Sequence, residues 1–399
     1  MTALEHIVVD NRKDSKPDLS IIIPVYNTQD YVLDTLNSLV SNNTSQYELI
    51  IVDDESPDNA QEVITQWLRQ HAEVSALLLS KANGGLGAAR NSGVKFARGD
   101  YLAFMDSDDL CQAGTYAGMI KFMQANHIQI AIARAKTFSN RNYQCGDFND
   151  KAIIDRILRS RPAVVTNAVR EPLLLRVEPN ACVRIIAKDF FEQALIGFPE
   201  KVLFEDLYPH SLAMAKAQRV GLYDDVLLIY RMARLGQITG TKGKSRFDII
   251  KVVQSINEDE SIRTLNQEAG AILCNQIAKF VLWCAAALHE DDLAQFFVQY
   301  TRNIDQIPSE WWQTSLNKYA ENELEQRFCE YSLENKPSHL AALFAKHQAP
   351  GMLAEKTAAL LDNHENLRRY SSRFKLASES TLKRSVSYLK YNLKNKILK

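Results

Sequence analysis

Four short apolar segments recur between residues 19 and 105 of this 399-residue chain. Each has the length of a buried strand, and helical spacing appears between them; Val32, Leu36 and Val40 share one helical face after the first segment. Such alternation is typical of βαβ units, which build a mostly parallel sheet with helices on both faces. The predicted strands are residues 19–25, 47–52, 74–79 and 101–105.

Polar residues follow three of these strands directly. Tyr26 and Asn27 follow the first, Asp53 and Asp54 the second, and the run Asp106-Ser107-Asp108-Asp109 the fourth. Because ligands bind such sheets at the carboxyl ends of the strands, we expect these three groups to meet at one edge.

The acidic run behind the fourth strand predicts a cation site. Carboxylates that cluster at the end of a buried strand repel one another and are costly to desolvate unless a cation holds them together. Oxygen ligands favour Mg²⁺ or Mn²⁺, and Mg²⁺ usually combines one or two carboxylates with substrate phosphates. The alternative is a solvated acidic turn; an EF-hand is excluded because its Gly and distal Glu are missing.

Composition excludes several classes of protein. The 47 basic and 48 acidic side chains leave a net charge of −1, which disfavours nucleic-acid binding by the chain as a whole. Six dispersed cysteines without a Cys-x-x-Cys pair indicate a reducing cytoplasm, and eight unclustered histidines disfavour a zinc enzyme. The longest apolar run, residues 280–288, is short of the roughly 20 residues that cross a bilayer.

The remaining segments suggest four parts. Residues 1–18 lack the apolar core of a signal peptide and are interpreted as a loose leader. A sheet domain is predicted over 19–240, in which residues 133–185 form loops and short helices that cover one side of the site. Residues 241–366 have helical patterns, and 367–399 form a basic C-terminal helix.

Five motifs, in this order and spacing, resemble the family 2 glycosyltransferases of the GT-A fold. They are SIIIPVYN at 20–27, IVDDES at 51–56, NGGLGAARN at 83–91, GDYLAFMDSDD at 99–109 and FEDL at 204–207. Five motifs in register are far more specific than one. The resemblance covers about residues 19–240 and implies a Rossmann-like α/β GT-A domain, followed here by an all-α appendage.

The resemblance also implies a donor site. Pro24, Tyr26 and Asn27 would line the base and ribose, and Asp53 would accept the N3–H of uracil. On the acidic run, Asp108 would be the direct metal ligand, with Asp106 nearer the ribose and Ser107 on the donor side.

Asp206 resembles the family's general base, which would take the acceptor hydroxyl proton in an inverting transfer. Helix capping is the alternative role for Asp206 and its neighbour Glu205, because acidic residues are favoured in a first helical turn. Glu205 and Arg184 are further candidates for substrate contacts; Arg184 stands where the family often has a lysine, and Glu55 where it usually has glycine.

Glycines and arginines complete the list of candidates. Gly85 and Gly87 are expected to let a loop approach the donor closely. The motif that contains them lacks the Gly-x-Gly-x-x-Gly spacing of a dinucleotide-binding site, which is therefore excluded. Arg90 would face the diphosphate or pair with an acidic cluster. Arg231 and Arg234 are either surface charges or phosphate contacts.

The C-terminal segment 367–399 carries ten basic residues and one acidic residue. Five apolar residues recur in it at intervals of three and four, which places them on one helical face: Leu382, Val386, Leu389, Leu393 and Ile397. A basic amphipathic helix favours an anionic membrane surface. The alternative is a terminal helix that packs on the appendage or on a second subunit.

These features predict an inverting, metal-dependent hexosyltransferase. It would move a sugar from a nucleotide donor, UDP-linked, to a glycan or glycolipid acceptor during surface polysaccharide assembly, in capsule or lipopolysaccharide for example. The alternatives are a non-catalytic glycan-binding or assembly subunit on the same scaffold, and a sugar nucleotidyltransferase, for which no basic N-terminal phosphate loop is found. We expect a cytoplasmic protein, peripheral at the inner membrane face, that forms a homo-oligomer if the tail packs between subunits.

Overall fold

The computed structural model describes residues 5–41, 46–194, 196–234, 237 and 240–343. The described residues up to Ala342 form one compact unit. The domain boundary predicted at residue 240 falls inside this unit and stays a prediction, and the basic segment 367–399 lies outside the described residues.

The described residues contain eleven strands that belong to one sheet. In chain order they are β1 His6–Asp10, β2 Leu19–Val25, β3 Tyr47–Asp53, β4 Ala76–Ser80, β5 Tyr101–Phe104, β6 Leu110–Cys111, β7 Ile130–Ser139, β8 Cys145–Asp147, β9 Ala163–Thr166, β10 Arg184–Ala187 and β11 Val220–Met232. The four strands predicted from apolar segments are β2 to β5, with ends that differ by at most two residues.

The sheet runs in the order β1-β4-β3-β2-β5-β10-β7-β11-β6, with β8 paired to β7 and β9 paired to β11. Strands β4, β3, β2 and β5 are parallel, and so are β7 and β11. Strand β10 joins the two groups antiparallel to both β5 and β7. All seven residues of β2 are buried, because helices cover both faces of a parallel sheet.

The helices of the described residues fall into two groups. Those that alternate with strands are α1 Val32–Val40, α2 Ala60–Gln70, α3 Leu86–Phe96, α4 Thr115–Asn126, α5 Lys151–Leu158, α6 Lys188–Gln193 and α7 Leu207–Lys216. The rest form the predicted all-α part, namely α8 Asp248–Glu258, α9 Glu260–Arg263, α10 Gln267–Ala286, α11 Glu290–Arg302, α12 Ser309–Lys318 and α13 Glu323–Leu333. Short 3-10 turns cover Pro172–Arg176, Ala181–Val183 and Lys244–Phe247.

Two predictions of irregular structure are wrong. The supposed loose leader contains β1, which pairs antiparallel with β4 at the edge of the sheet. Residues 133–185 are not only loops and short helices, because most of β7, all of β8 and β9, and the first two residues of β10 lie in this range. These strands are partly exposed or pair over long distances along the chain, so they lack the continuous apolar run that marks β2 to β5.

Helix α10 is the centre of the all-α part. It has 20 residues and is apolar enough to cross a membrane by length and composition alone. About 78% of its most apolar window is buried within the fold, which is also what a core helix shows. Its contacts with α12 and α13 and with the 3-10 turn Pro172–Arg176 join the helical part to the segment beside the sheet.

Candidate functional site

The three polar groups predicted to meet at the carboxyl edge of the sheet do meet. The backbone N–H of Asn27 donates to Oγ of Ser56 (3.4 Å), which links the ends of β2 and β3. The hydroxyls of Thr28 and Ser107 are 2.9 Å apart, which links the ends of β2 and β5. Residues from three separate motifs therefore form one surface.

The end of β2 presents two exposed side chains. Tyr26 is 51% exposed and Asn27 is exposed, whereas Pro24 is buried within the strand. An exposed tyrosine at this edge is suited to stacking on a flat ring such as a base. Tyr26 and Asn27 thus expose side chains that a nucleotide could contact, and the predicted contact of Pro24 stays a prediction.

Asp53 and Glu55 shape the turn after β3. Asp53 is buried; its Oδ1 accepts the backbone N–H of Ser56 (3.3 Å), and burial raises the pKa of its carboxyl. Glu55 has φ +60°, a backbone region that favours glycine, which accounts for the glycine that this position usually has in the resembling family. Its carboxylate accepts the backbone N–H of Asn83 (2.9 Å), so the turn is tied to the glycine-rich loop.

Lys81 was not predicted at the site, and Asp54 was predicted at the carboxyl edge without a role of its own. They form a buried ion pair of 2.7 Å, and Asp54 also accepts the backbone N–H groups of Gly84 and Gly85. Asp54 is thus an anchor for the glycine-rich loop. Nothing in the spacing of the motifs distinguishes it from Asp53, which has the binding role in the sequence interpretation.

The glycines of this loop serve different purposes. Gly85 has φ +83° and lies immediately before α3, where left-handed backbone is required. At Gly87 a Cβ would lie 2.1 Å from the carbonyl oxygen of Pro199, so the close approach there is to another part of the chain. The expectation that Gly87 lets the loop approach the donor stays a prediction.

Each acidic residue behind β5 has a different partner. Asp106 pairs with Arg90 (2.9 Å), and Asp108 pairs with Arg234. Asp109 is buried and accepts the backbone N–H of Arg231 (2.7 Å), and its pKa is well above the usual range, mainly because of burial. Asp109 is therefore part of the interior of the site, while Asp106 and Asp108 keep partly exposed side chains.

Arg231, near the end of β11, and Arg234, just beyond that strand, are not surface charges. Arg231 is buried, donates to the carbonyl of Asp108 (2.7 Å), pairs with Asp34 (3.0 Å) and lies over the ring of Tyr31 (5.1 Å). Arg234 contacts Asp108 as described, so both guanidinium groups border the acidic run. The sequence left two roles open for these arginines, surface charge and phosphate contact. Their placement beside the acidic run is consistent with phosphate contact.

Arg90 is the central cation of the site. It is 1% exposed and pairs with Asp106 (2.9 Å), Glu205 (2.9 Å) and Asp206 (2.5 Å), while its Cζ lies 5.1 Å from the ring of Phe198. The choice left open by the sequence is thereby decided, since Arg90 contacts acidic side chains from two distant motifs. Three carboxylates around one guanidinium hold those side chains in a fixed arrangement.

The side chains of Glu205 and Asp206 do not cap the helix that follows them. Asp206 is the N-cap residue of α7, yet no cap hydrogen bond is made; its Oδ2 instead accepts the backbone N–H of Ala181 (3.2 Å). Burial raises the pKa of Asp206 and raises the pKa of Glu205 to about 7. A carboxylate with a raised pKa is a stronger base, which suits proton abstraction near neutral pH.

Arg184 lies behind the base and is buried. Its Nη2 donates to the carbonyl of Glu178 (2.7 Å), and burial lowers its pKa to about 10. Arg184, Asp206 and His210 line a cavity of about 20 Å³, which has room for about one water molecule and none for a sugar. The predicted substrate contact of Arg184 stays a prediction, and in this arrangement its guanidinium supports the loop that carries Glu178.

The acidic run supplies two candidate ligands for a metal ion. In the described part of the chain, no three His, Cys, Asp or Glu side chains are grouped as ligands for one ion. Asp108 and Asp106 are two partly exposed carboxylates from one turn. Mg²⁺ usually takes one or two protein carboxylates when substrate phosphates complete its coordination shell. These two carboxylates would hold a metal together with the donor phosphates only if Asp108 exchanged Arg234 for the ion, since Asp108 pairs with Arg234 and Asp106 with Arg90 in this structure.

The chain is similar to known glycosyltransferases. The family model described as "Glycosyl transferase family 2" matches residues 20–180. The uncharacterized glycosyltransferase EpsJ of Bacillus subtilis is 28% identical over 226 residues, covering 54% of this chain and 61% of that protein. Poly(ribitol-phosphate) beta-glucosyltransferase of Bacillus spizizenii is 34% identical over 222 residues, covering 55% of this chain and 33% of that protein. The matched segment thus spans less than two thirds of either relative.

A solved structure shows the same fold over a longer range. TarS residues 1–349 of Staphylococcus aureus, in complex with UDP-GlcNAc, superposes with a TM-score of 0.65 and 16% identity over 84% of this chain and 92% of that one. The match extends past the sheet into the helical part, because the sheet region alone is shorter than this coverage. Residues 20–180 are thus similar to glycosyl transferase family 2, and the α/β part of the chain has the GT-A fold.

Proposed function

We propose that this protein is an inverting glycosyltransferase that moves a sugar from a UDP-linked donor to a glycan or glycolipid acceptor in surface polysaccharide assembly. The observation that carries the proposal is the shared guanidinium of Arg90. It ties the candidate base Asp206 to Asp106 on the donor side of the same edge. A non-catalytic scaffold or a nucleotidyltransferase would not need a base held in this way.

The donor would lie along the carboxyl ends of β2, β3 and β5. Tyr26 and Asn27 would contact the base and ribose, and Asp53 would face the uracil edge. TarS, which shares the fold, binds UDP-GlcNAc, so UDP-GlcNAc is the first donor to test. Arg234 and Arg231 border the acidic run and supply positive charge where a diphosphate would lie.

Asp206 would carry out the proton transfer. Its carboxylate accepts the proton of the acceptor hydroxyl as that oxygen forms a bond to C1 of the sugar, and the bond from C1 to the diphosphate oxygen breaks with inversion. UDP leaves with the electron pair of the broken bond, and the proton stays on Asp206 until water takes it. Mg²⁺ or Mn²⁺ held by Asp108 and Asp106 would neutralise the charge on the departing diphosphate.

The proposal also names the acceptor and the cellular site. The relative from Bacillus spizizenii is named for glucosylation of poly(ribitol-phosphate), which supports a cell-surface polymer as the product. Action at the inner face of the cytoplasmic membrane would bring the enzyme to a lipid-linked acceptor. The tail 367–399, which would bind that surface or a second subunit, lies outside the described residues.

The test combines donor binding with loss of the base. UDP-sugars are screened for thermal stabilisation in the presence of Mn²⁺, because a ligand that binds only the native state raises the melting temperature. With the donor found, Asp206→Asn should lower the rate of transfer on the order of 10²–10⁴-fold and leave UDP affinity near that of the wild type. Full transfer by the variant would remove Asp206 from the mechanism, and absence of any UDP-sugar binding would refute the donor class.

A further inference from the structure

One exposed tryptophan contacts the motif that carries the candidate base. Trp283 on α10 is 41% exposed, whereas Trp67, Trp311 and Trp312 are at most 5% exposed. A single exposed apolar side chain needs no explanation by itself. What distinguishes Trp283 is the set of residues that hold it in place.

The indole of Trp283 is fixed from several sides. The rings of Phe204 and Phe280 meet it edge-on, with centroids 5.4 Å and 6.2 Å away. The guanidinium of Arg246, a buried residue, lies 4.3 Å from the centre of the indole. A side chain held in this way loses little conformational entropy when a ligand packs on its exposed area.

Phe204 links this aromatic group to the base. It immediately precedes Glu205 and Asp206 and has φ +66°, an unusual backbone conformation for a bulky residue. Strained residues persist where the surrounding structure holds them, and they concentrate at functional sites. The turn is held against the helical part on both sides of Phe204, since Leu203 N–H donates to Asp248 (3.2 Å) and the hydroxyl of Tyr208 donates to Asp259 (2.9 Å).

A second residue places the same face of α10 beside the site. Lys279 lies one turn before Trp283 and therefore shares its helical face. Burial is the main reason that the pKa of Glu178 is raised to about 7; the charge of Asp206 raises it further, and the charge of Lys279 lowers it. One carboxylate thus lies within electrostatic reach of both the base and this face of α10.

We infer that Trp283 and Phe204 form a platform on which a pyranose ring of the acceptor stacks, next to Asp206. This rests on the proposed function and names the chemistry of its acceptor. The C–H face of a pyranose is apolar and packs on an aromatic ring, while its hydroxyls stay hydrogen-bonded at the rim. The cation in contact with the platform, Arg246, is buried and lies against both rings, which favours a neutral ring over a phosphate as the occupant.

The experiment compares Trp283→Ala and Trp283→Phe with a matched control in the full-length chain. The control is Val169→Ala, because Val169 is also an exposed apolar residue, with 62% of its surface exposed. It lies just beyond β9, whose Thr166 pairs with Val220 at the amino end of β11, and so lies away from the carboxyl edge of the sheet. The acceptor probes are the methyl β-pyranosides of glucose, galactose, mannose and N-acetylglucosamine, studied with UDP present. Binding is followed by saturation-transfer NMR, transfer by acceptor KM, and donor handling by UDP-induced stabilisation and by hydrolysis of the UDP-sugar.

We expect at least one pyranoside to give ring-proton signals with the wild type and with Val169→Ala. Trp283→Ala should lose these signals and raise the acceptor KM on the order of tenfold or more, with UDP stabilisation and donor hydrolysis unchanged, and Trp283→Phe should recover part of the loss. Equal signals and KM in Trp283→Ala, or no pyranoside signal with a wild type that binds UDP, would overturn the platform. A wild type that neither binds nor hydrolyses any UDP-sugar would instead refute the proposed function.

Discussion

Nη1 of Arg90 lies 2.5 Å from Oδ1 of Asp206, although the two residues are 116 positions apart in the chain. The other arm of the same guanidinium reaches Asp106, which follows β5. Arg90 is buried, so its charge and those of its partners are shielded from water and interact strongly. The geometry of the candidate base thus depends on a residue that is itself inaccessible to a substrate.

Arg90→Lys should therefore disturb catalysis and stability together. Lysine keeps the charge but cannot reach carboxylates on two arms of a planar fork. We expect kcat to fall at least about tenfold and the free energy of unfolding to fall by about 2 kcal/mol, as for a weakened buried ion-pair network. Steady-state kinetics and urea denaturation measure the two effects.

The matched control is Arg98→Lys. Arg98 pairs with the buried Glu48 (2.8 Å) near the amino ends of β3 and β5, at the opposite edge of the sheet. This variant should lose stability with little change in kcat. If Arg90→Lys behaved in the same way, Arg90 would have a structural role only.

Metal dependence is expected to require Asp108. Excess EDTA should abolish transfer and weaken UDP-sugar binding, and Asp108→Ala should reproduce both effects even when Mn²⁺ is plentiful, because the carboxylate that would hold the cation beside the diphosphate is gone. Asp100→Asn is the control, since Asp100 pairs with Lys16 just before β5, at the opposite end of that strand from Asp108, and has a largely exposed side chain. Undiminished activity in EDTA would show that the arginines alone neutralise the diphosphate.

The stability of the protein should depend on the ionisation of Glu178. Its pKa in the folded protein is raised to about 7, mainly by burial, from about 4.5 in the unfolded chain. A raised carboxyl pKa contributes stability below pH 4.5, and this contribution is lost as the pH rises through 7. Glu178→Gln stays neutral at every pH. The difference in free energy of unfolding between Glu178→Gln and the wild type should therefore grow by about 2 kcal/mol in favour of the variant as the pH rises from 5 to 8.

Urea denaturation at several pH values measures this difference. Glu260→Gln is the control, because the side chain of Glu260 is 94% exposed and is not removed from water on folding. A gain for Glu178→Gln that is equal at pH 5 and pH 8 would contradict the titration and indicate a packing effect.

The strands that frame the donor side could be predicted because buried parallel strands are nearly continuous apolar runs. Strand β2 has seven buried residues, and its prediction as residues 19–25 is confirmed. The short edge strand β1 has only partly buried or exposed residues, and β9 is only half buried, so neither differs in pattern from a loop. Their pairing depends on partners far along the chain, which one local segment does not reveal.

The sequence predicted which residues belong to the site, but it did not predict which residues they pair with. The motifs identified Asp106, Asp108 and Asp206 as candidates, and the sheet topology predicted that the first two would lie at the carboxyl edge. The pairing of Arg90 with carboxylates 16 and 116 positions away requires the folded chain. The contact of Trp283 with Phe204 likewise joins a helix of the appendage to a motif of the sheet domain, and no spacing rule connects them.

The last prediction concerns the basic segment 367–399. Deletion should leave catalysis with soluble substrates largely intact and release the protein from anionic liposomes. Each Lys or Arg near an anionic surface contributes about 1 kcal/mol, screened by salt, and the apolar residues from Leu382 to Ile397 add buried area when the helix lies flat. Flotation with liposomes that contain phosphatidylglycerol, at low and high salt, measures the effect, and binding should weaken as salt rises. A helix that packs between subunits would give the opposite pattern: truncation would lower the mass measured by light scattering and the melting temperature, and the full-length protein would not float even at low salt.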